Sequence, residues 1–105
     1  MEIKILWSDS ALADLEEIFD YHKAKASPGI ARNLVKSIIQ KAQILESNPL
    51  LGVKEPLLSA RAFEYRYLVE KNYKIIYRFN DNLIKVNTIF DCRQSPNKLE
   101  SLKDK

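Results

Sequence analysis

The spacing of hydrophobic residues divides this 105-residue chain into a helical first half and a strand-rich second half. Between residues 3 and 7, apolar side chains alternate with their neighbours, which predicts a short first strand. From about residue 11 to residue 26, apolar positions recur every three or four residues, and Ser8, Asp9 or Ser10 can cap this helix. Ser27-Pro28 predicts the start of a second helix with the same periodicity, which Asn48-Pro49 ends.

The second half contains three runs that alternate between apolar and polar residues, at 63–70, 73–79 and 84–91. The short polar segments Lys71-Asn72 and Asn80-Asp81-Asn82 separate them, which is typical of an antiparallel meander. The whole pattern predicts an α+β fold in the order β-α-α-β-β-β, with a helical hairpin packed on one face of the sheet. A single domain over residues 1–105 is expected, with a polar tail from about 96 to 105.

The alternation also predicts two unlike faces of this sheet. One face is aromatic and apolar and is expected to receive the helices; it comprises Tyr65, Tyr67, Tyr73, Ile75, Tyr77 and Phe79. The other face mixes cations with apolar residues; it comprises Arg66, Lys74, Arg78 and Arg93 with Leu68, Ile76 and Ile89. A face of this kind fits a docking surface, and it equally fits ordinary solvated strand positions whose Lys and Arg stems cover apolar neighbours.

Composition and charge narrow the class of protein. Hydrophobic residues make up 46% and charged residues 30%, as in a globular domain, and no apolar run reaches the roughly 18 residues that span a bilayer, so no membrane association is expected. A single cysteine and no visible secretion signal favour a cytoplasmic protein. Residues 54–105 carry a net charge of +4, against −1 for residues 1–53, so a positive field belongs to the second half.

Most signatures of catalysis are absent from the sequence. It has no glycine-rich phosphate loop, no nucleophile elbow and no histidine pair at helical spacing, and neither a metal nor a cofactor is expected. His22 is interpreted as a residue of the helix face. Cys92 lies between an acid and a cation but has no partner histidine for nucleophilic chemistry. The cations of the sheet could stabilise a phosphorane, but acid–base groups for such a reaction are weakly represented.

The order of several motifs resembles a known family. The motifs are Trp7-Ser8, Ala11-x-x-Asp14-Leu15-x-x-Ile18, Asn48-Pro49-x-x-Gly52, Arg66-Tyr67-Leu68-Val69, Tyr73-Lys74-Ile75-Ile76-Tyr77-Arg78 and Ile89-Phe90-Asp91-Cys92-Arg93-Gln94. Together they resemble the RelE/ParE superfamily of toxins from bacterial type II toxin–antitoxin modules, known also as plasmid stabilisation proteins. The resemblance implies the same β-α-α-β-β-β fold and an antitoxin whose flexible, acidic C-terminal segment folds onto the toxin.

The two branches of the superfamily imply different targets. RelE-like members cleave mRNA on the ribosome with a cluster of Arg and Lys and a late Tyr or His, whereas ParE-like members poison DNA gyrase by protein–protein contact. By position, Arg93 matches the phosphate-stabilising arginine of the RelE-like branch, but Val69 stands where a second arginine is expected and Leu99 where the late acid–base residue is expected. These departures favour a ParE-like inhibitor. A metal-independent mRNA endonuclease and a diverged toxin with weak or no activity remain alternatives.

Contact with the target or the antitoxin is therefore predicted for surface residues rather than for a catalytic set. The candidates are Arg66, Leu68, Lys74, Ile76, Arg78 and Arg93, and Arg93 is the catalytic candidate if the protein is a nuclease. Arg66 has a structural alternative, an ion pair with Glu64, Glu70 or Asp91. Sequence-specific DNA binding by this chain is not expected.

Overall fold

The computed structural model describes residues 2–93 and has the predicted α+β order. Its strands are β1 (Lys4–Trp7), β2 (Val53–Lys54), β3 (Tyr65–Glu70), β4 (Tyr73–Asn80) and β5 (Leu83–Asp91), and its helices are α1 (Asp9–Lys25) and α2 (Pro28–Gln43). Short 3-10 turns follow α2 at Ile44–Glu46 and β2 at Pro56–Leu58. The strand β2 was not predicted, because two residues are too few to show alternation. The predicted polar tail, 96–105, lies outside the described residues.

Both helices begin at serine caps. The Ser8 hydroxyl accepts a hydrogen bond from the Ala11 amide at 3.0 Å, and the Ser27 hydroxyl accepts one from the Ile30 amide at 3.1 Å. Pro28 occupies the first turn of α2, where its missing N–H costs no hydrogen bond. The predicted helix starts at Ser8 and Ser27 are therefore confirmed. None of the helices within residues 2–93 is both long enough and apolar enough to cross a membrane.

The sheet has five strands in the order β1-β5-β4-β3-β2. Strand β1 runs parallel to β5, and all other neighbours are antiparallel, so the predicted meander is confirmed. Helix α1 is tied to this sheet by Asp14, whose carboxylate accepts hydrogen bonds from the Thr88 hydroxyl at 2.5 Å and the Ile89 amide at 3.0 Å. The main core lies between the helical hairpin and one face of the sheet.

Two tight hairpins set the register of the meander. Glu70 pairs with Tyr73 and Asn80 pairs with Leu83, so each turn contains two residues. Lys71 has a φ of 56°, and Asp81 and Asn82 have φ values of 54° and 58°, as two-residue hairpin turns require. A two-residue turn pairs an even-numbered residue with an odd-numbered one. Consequently the odd residues of β3 share a face with the even residues of β4.

This register corrects the predicted faces. Tyr65 and Tyr67 point away from the helices, whereas Leu68 joins the core beneath them, because Tyr67 pairs with Ile76 and Leu68 with Ile75. Ile89 also belongs to the core beneath the helices. A bulge shifts the register so that Tyr77 pairs with Val86 but Ile76 pairs with Thr88, which exchanges the faces of the following residues of β5. The prediction held for Tyr73, Ile75, Tyr77 and Phe79.

Candidate functional site

The six candidate contact residues do not form one surface. Lys74, Ile76 and Arg78 share the helix-free face with Tyr65 and Tyr67, to which they are paired across the strands or adjacent. Arg66 pairs with Tyr77 and therefore lies on the helix face near the edge of the sheet. Leu68 is buried in the core beneath the helices.

The two candidate apolar anchors are buried. Leu68 has an exposed fraction of 7% and Ile76 of 0%. Leu68 packs in the helix-side core, and Ile76 packs with Leu58, Tyr65 and Phe90 on the opposite face. In this structure neither side chain offers an apolar contact to a partner, because each is already covered by its own chain. Their proposed role in binding stays a prediction.

Lys74 is held on the helix-free face by two contacts. Its ammonium group lies 3.1 Å from a carboxylate oxygen of Glu55 and 4.2 Å from the centre of the Tyr67 ring. Glu55 has an exposed fraction of only 2%, and its other carboxylate oxygen accepts a hydrogen bond from the Leu57 amide at 3.3 Å. A buried carboxylate requires such partners, since its desolvation is costly. Lys74 therefore neutralises Glu55 and fixes the segment that follows β2.

Arg78 is also engaged on this face. Its guanidinium carbon lies 4.0 Å from the centre of the Phe63 ring, and its Nη1 donates a hydrogen bond to the Asn80 side-chain oxygen. Its Nε is buried and has no hydrogen-bond partner within residues 2–93. The stack on Phe63 and the cluster around Leu58 close this face beneath residues 55–63. Arg78 therefore covers the smaller apolar cluster of this face, which we call the second core and which comprises Leu58, Tyr65, Ile76 and Phe90.

Arg66 bonds to a loop rather than pointing freely to solvent. Its Nη1 donates hydrogen bonds to the Gly52 carbonyl at 2.8 Å and to the Leu50 carbonyl at 3.4 Å, and its Nη2 lies 3.0 Å from Glu64. The structural alternative for Arg66, an ion pair with Glu64, is therefore confirmed. Lys54 contacts the same carboxylate at 3.2 Å, and its hydrogen bond is the largest influence that lowers the pKa of Glu64.

Arg93 lies at the far end of β5, near α1. It forms a two-pronged pair with Asp91, with its Nε and Nη2 at 3.1 and 2.9 Å from the two carboxylate oxygens. This pair raises the pKa of the Arg93 guanidinium. Beside it is a cavity of about 410 Å³, whose lining residues are Asp14, Glu17, Ile18, Tyr21, Tyr73, Ile89, Asp91 and Arg93.

Two residues that sequence analysis did not place at a site converge next to Arg93. The His22 Nε2 lies 3.0 Å from the Tyr73 hydroxyl, and Tyr21 stacks edge-on against His22. Burial raises the pKa of the Tyr73 hydroxyl, Asp91 raises it further, and Arg93 opposes the rise. The pairing of Tyr73 with Asp91 follows from the β4–β5 hairpin turn and the bulge. The turn lengths could have indicated this neighbourhood, but the bulge has no clear signal in the sequence.

The remaining positions of interest carry little chemistry. Val69, at the position of the expected second arginine, is half-exposed on β3. The Cys92 thiol is exposed, and its backbone amide donates to the Asn72 carbonyl at 2.7 Å. Within residues 2–93, no group of three or more His, Cys, Asp or Glu side chains could hold a metal ion. Leu99, at the position of the late acid–base residue, lies outside the described residues.

The chain was compared with known proteins by sequence and by structure. Residues 5–96 match the ParE toxin of the type II toxin–antitoxin system, parDE. No curated protein sequence matches the chain.

Two solved structures share its fold. A chain of the chromosomal ParDE toxin–antitoxin system from P. aeruginosa has a TM-score of 0.73 at 23% identity, over 86% of this chain and 96% of that chain. The YoeB dimer from Staphylococcus aureus has a TM-score of 0.51 at 22% identity, over 90% of this chain and 99% of that chain. Since the family match spans most of its length, the chain belongs to the ParE family of toxins of type II toxin–antitoxin systems.

Proposed function

We propose that this chain inhibits DNA gyrase by protein–protein contact and is neutralised by a cognate antitoxin. The observation that carries the proposal is that the candidate cations have intramolecular partners, while the position of the second nuclease arginine holds Val69. A metal-independent nuclease needs cations that stabilise the charge developing on the phosphorane. Cations that already neutralise a carboxylate contribute less to that charge, so a surface that acts by contact is favoured.

The engagement of Lys74 and Arg93 illustrates this argument. To reach a phosphate, Lys74 would have to leave Glu55. The Glu55 carboxylate would then stay buried without a partner for its charge, which is strongly unfavourable. Arg93 already directs two of its nitrogens at Asp91. A guanidinium group whose nitrogens already bind a carboxylate is not preorganised to bind a phosphate.

Ribosome-dependent mRNA cleavage is the second candidate, and one specific observation favours it. Arg93 and Tyr73 line the same cavity, and the Tyr73 hydroxyl contacts the His22 imidazole at 3.0 Å, so a cation, a phenol and an imidazole lie close together. Imidazole and phenol side chains are both used as general acids and bases, and burial raises the pKa of the Tyr73 hydroxyl. Such a group could replace the late Tyr or His that RelE-like toxins use.

A cognate antitoxin is proposed as the partner in the cell. The structural relative from P. aeruginosa is a ParDE toxin–antitoxin system. Residues 54–105 of this chain carry a net charge of +4, which would attract an acidic segment. A segment that is disordered when free and orders on the toxin matches this mode of recognition.

The experiment that separates the functions measures DNA and protein synthesis in bacteria. Labelled thymidine and labelled amino acid are followed for minutes after induction of the unmodified chain, the Arg93→Ala variant and the Tyr73→Phe variant. Gyrase inhibition predicts that thymidine incorporation stops first. In both variants thymidine incorporation still stops before translation, since loss of Arg93 as a contact residue can weaken gyrase inhibition but does not convert it into mRNA cleavage. Translation that collapses first, and recovers in both variants, would establish the nuclease instead. Continued growth with the unmodified chain would indicate a diverged toxin of weak activity.

A further inference from the structure

The loop between α2 and β2 is held in one conformation by buried polar groups. The Tyr77 hydroxyl donates a hydrogen bond to the Pro49 carbonyl at 2.8 Å and accepts one from the Gly52 amide at 2.9 Å. Arg66 holds the Gly52 carbonyl from the other side at 2.8 Å. Three backbone groups of a five-residue loop, 49–53, are thus fixed by two side chains of the sheet.

A glycine is required in this loop. A Cβ atom at position 52 would lie 2.6 Å from the Tyr77 hydroxyl oxygen and 2.8 Å from the Tyr67 carbonyl oxygen. The loop therefore packs directly on the sheet, with no room for adjustment. A surface that is rigid before binding loses little conformational entropy when a partner docks.

The side chains that this rigid loop presents to solvent are apolar. Leu50 has an exposed fraction of 58% and Val53 of 61%, and Leu51 is also exposed. Val53 pairs with Tyr67, so Val69 of β3, which is likewise exposed, lies diagonally across from it. We name these four residues, Leu50, Leu51, Val53 and Val69, the apolar edge. Exposed apolar side chains gathered at one place mark an interaction site more often than scattered ones do.

The backbone at this edge is also incompletely paired. Strand β2 pairs only with Arg66 and Tyr67, so among the described residues the outer edge of β3 has no strand partner beyond Tyr67. Hydrogen-bonding groups next to Val69 are thus available beside the apolar side chains. The apolar edge can therefore offer an extended segment both backbone hydrogen bonds and apolar side-chain contacts.

Two exposed lysines flank the apolar edge, next to the acids Glu64 and Glu70. Lys54, directly after Val53, has a side chain that is 68% exposed, and its partner Glu64 is also largely exposed. Lys71 is exposed in the turn that follows β3. Exposed ion pairs of this kind are weak, so the Lys54 ammonium can exchange Glu64 for another carboxylate. Apolar residues flanked by two exposed lysines are complementary to a segment that combines apolar and acidic side chains.

We propose that the apolar edge is the docking surface for an acidic, amphipathic segment of the antitoxin. The inference rests on the proposed function, because the antitoxin is the partner proposed there. It assigns Arg66 and Tyr77 as positioning residues that act through the loop backbone. Val53 and Val69 lie on the helix-free face opposite Tyr67 and Lys74, so Lys74 borders this interface, whereas Ile76 is buried.

Binding measurements on designed variants test this location. For the binding partner we take the product of the reading frame adjacent to this chain's gene, where the antitoxin of the proposed function is expected, and its affinity is measured by calorimetry. The Leu50→Ser/Val53→Ser variant is expected to bind about 30-fold more weakly, because two central apolar contacts are lost. The matched control is Leu6→Ser/Leu12→Ser, whose residues are similarly exposed on β1 and α1, at 49% and 52%. The control is expected to stay within about threefold of the unmodified chain. Circular dichroism melting checks that each variant folds.

A charge variant provides a second, independent measurement. Lys54→Glu is expected to weaken binding most at low salt, because screening removes a repulsion that acts through water. If Leu50→Ser/Val53→Ser binds like the unmodified chain, or if the control loses as much affinity, the proposed location is wrong. If the unmodified chain does not bind the neighbouring protein, the antitoxin partner of the proposed function fails instead. Toxicity assays do not enter this test, so the choice between gyrase and mRNA leaves its result unchanged.

Discussion

The two faces of the sheet handle polar groups in different ways. Beneath the helices, the core is mainly aliphatic but includes Tyr73 and Tyr77, and the Tyr77 hydroxyl fixes the backbone of a loop. The helix-free face has a smaller apolar cluster, which is closed by the stems of Lys74 and Arg78 and by the buried Glu55. A strand position that carries a cation is therefore not automatically available for a ligand. The exposed apolar residues proposed to meet a partner lie along the β2–β3 edge of the sheet, with Val53 and Val69 on its helix-free face.

The largest loss of stability is expected when Gly52, where the helix-side core meets the loop, is replaced. Gly52→Ala places a methyl group within 2.8 Å of atoms of Tyr77 and Tyr67, so the loop must leave its position. We expect a loss of about 3 kcal/mol in the free energy of unfolding, measured by urea denaturation. Gly29→Ala is the control, because the position is helical and the nearest atom to its added Cβ, outside the helix backbone, would be the Ser27 hydroxyl oxygen at 3.9 Å. It is expected to gain about 0.5 kcal/mol, and equal losses in both variants would contradict the packing argument.

The second largest loss of stability is expected when the buried ion pair on the helix-free face is disrupted. Glu55→Gln leaves Lys74 without its carboxylate and is expected to destabilise the protein by about 2 kcal/mol, since Lys74 is only partly exposed. The double variant Glu55→Gln/Lys74→Met removes both charges and is expected to recover at least half of this loss. Urea unfolding of the unmodified chain, the double variant and both single variants, Glu55→Gln and Lys74→Met, completes the cycle. A double variant that loses as much stability as the two single variants together would show that Glu55 and Lys74 are not energetically coupled.

The sequence predicts the elements of this fold better than it predicts its faces. The caps, the helical hairpin and the meander follow from local signals such as Ser8, Ser27-Pro28 and Lys71-Asn72. The faces depend on turn length, and a two-residue turn inverts the pairing of odd and even positions. That inversion could have been deduced, and it would have placed Leu68 inside the core. The bulge in β5 could not, because it depends on how β5 meets β1 and α1 as well as β4.

The candidate site was less predictable than the fold. That Lys74 and Arg78 lie together follows from alternation, but the contact between Lys74 and Glu55 joins residues 19 positions apart through an irregular segment. His22 and Tyr73 are 51 residues apart and meet only when α1 packs on the sheet. Neither contact has a periodic pattern, so neither could be inferred from the chain alone. The exposure of Leu50 and Val53 depends likewise on the fixed course of their loop.

A smaller effect is expected from the hydroxyl that links the helix-side core to the loop. Tyr77→Phe removes the donor to Pro49 and leaves the Gly52 amide without its acceptor, which is expected to cost about 1.5 kcal/mol. Burial raises the pKa of the Tyr77 hydroxyl above its ordinary value of 10. The unfolded chain therefore releases this proton first, and stability that is present below pH 10 falls as the pH rises further. Urea denaturation across this range should show a shallower decline for Tyr77→Phe than for the unmodified chain. Equal declines would mean that other groups cause the alkaline loss.

The smallest effect is expected at the exposed pair beside the apolar edge. Hydrogen bonding from Lys54 lowers the pKa of Glu64, so the pair's contribution is present above the unfolded value of 4.5 and is lost as the pH falls through the folded value. Because both side chains are more than half exposed, water and salt screen their attraction. Lys54→Met is therefore expected to leave the melting temperature at pH 7 within about 2 °C of the unmodified value. A larger drop in melting temperature that disappears in high salt would show that the Lys54–Glu64 pair stabilises the fold. Lys54 would then be less suited to exchange Glu64 for a carboxylate of a partner.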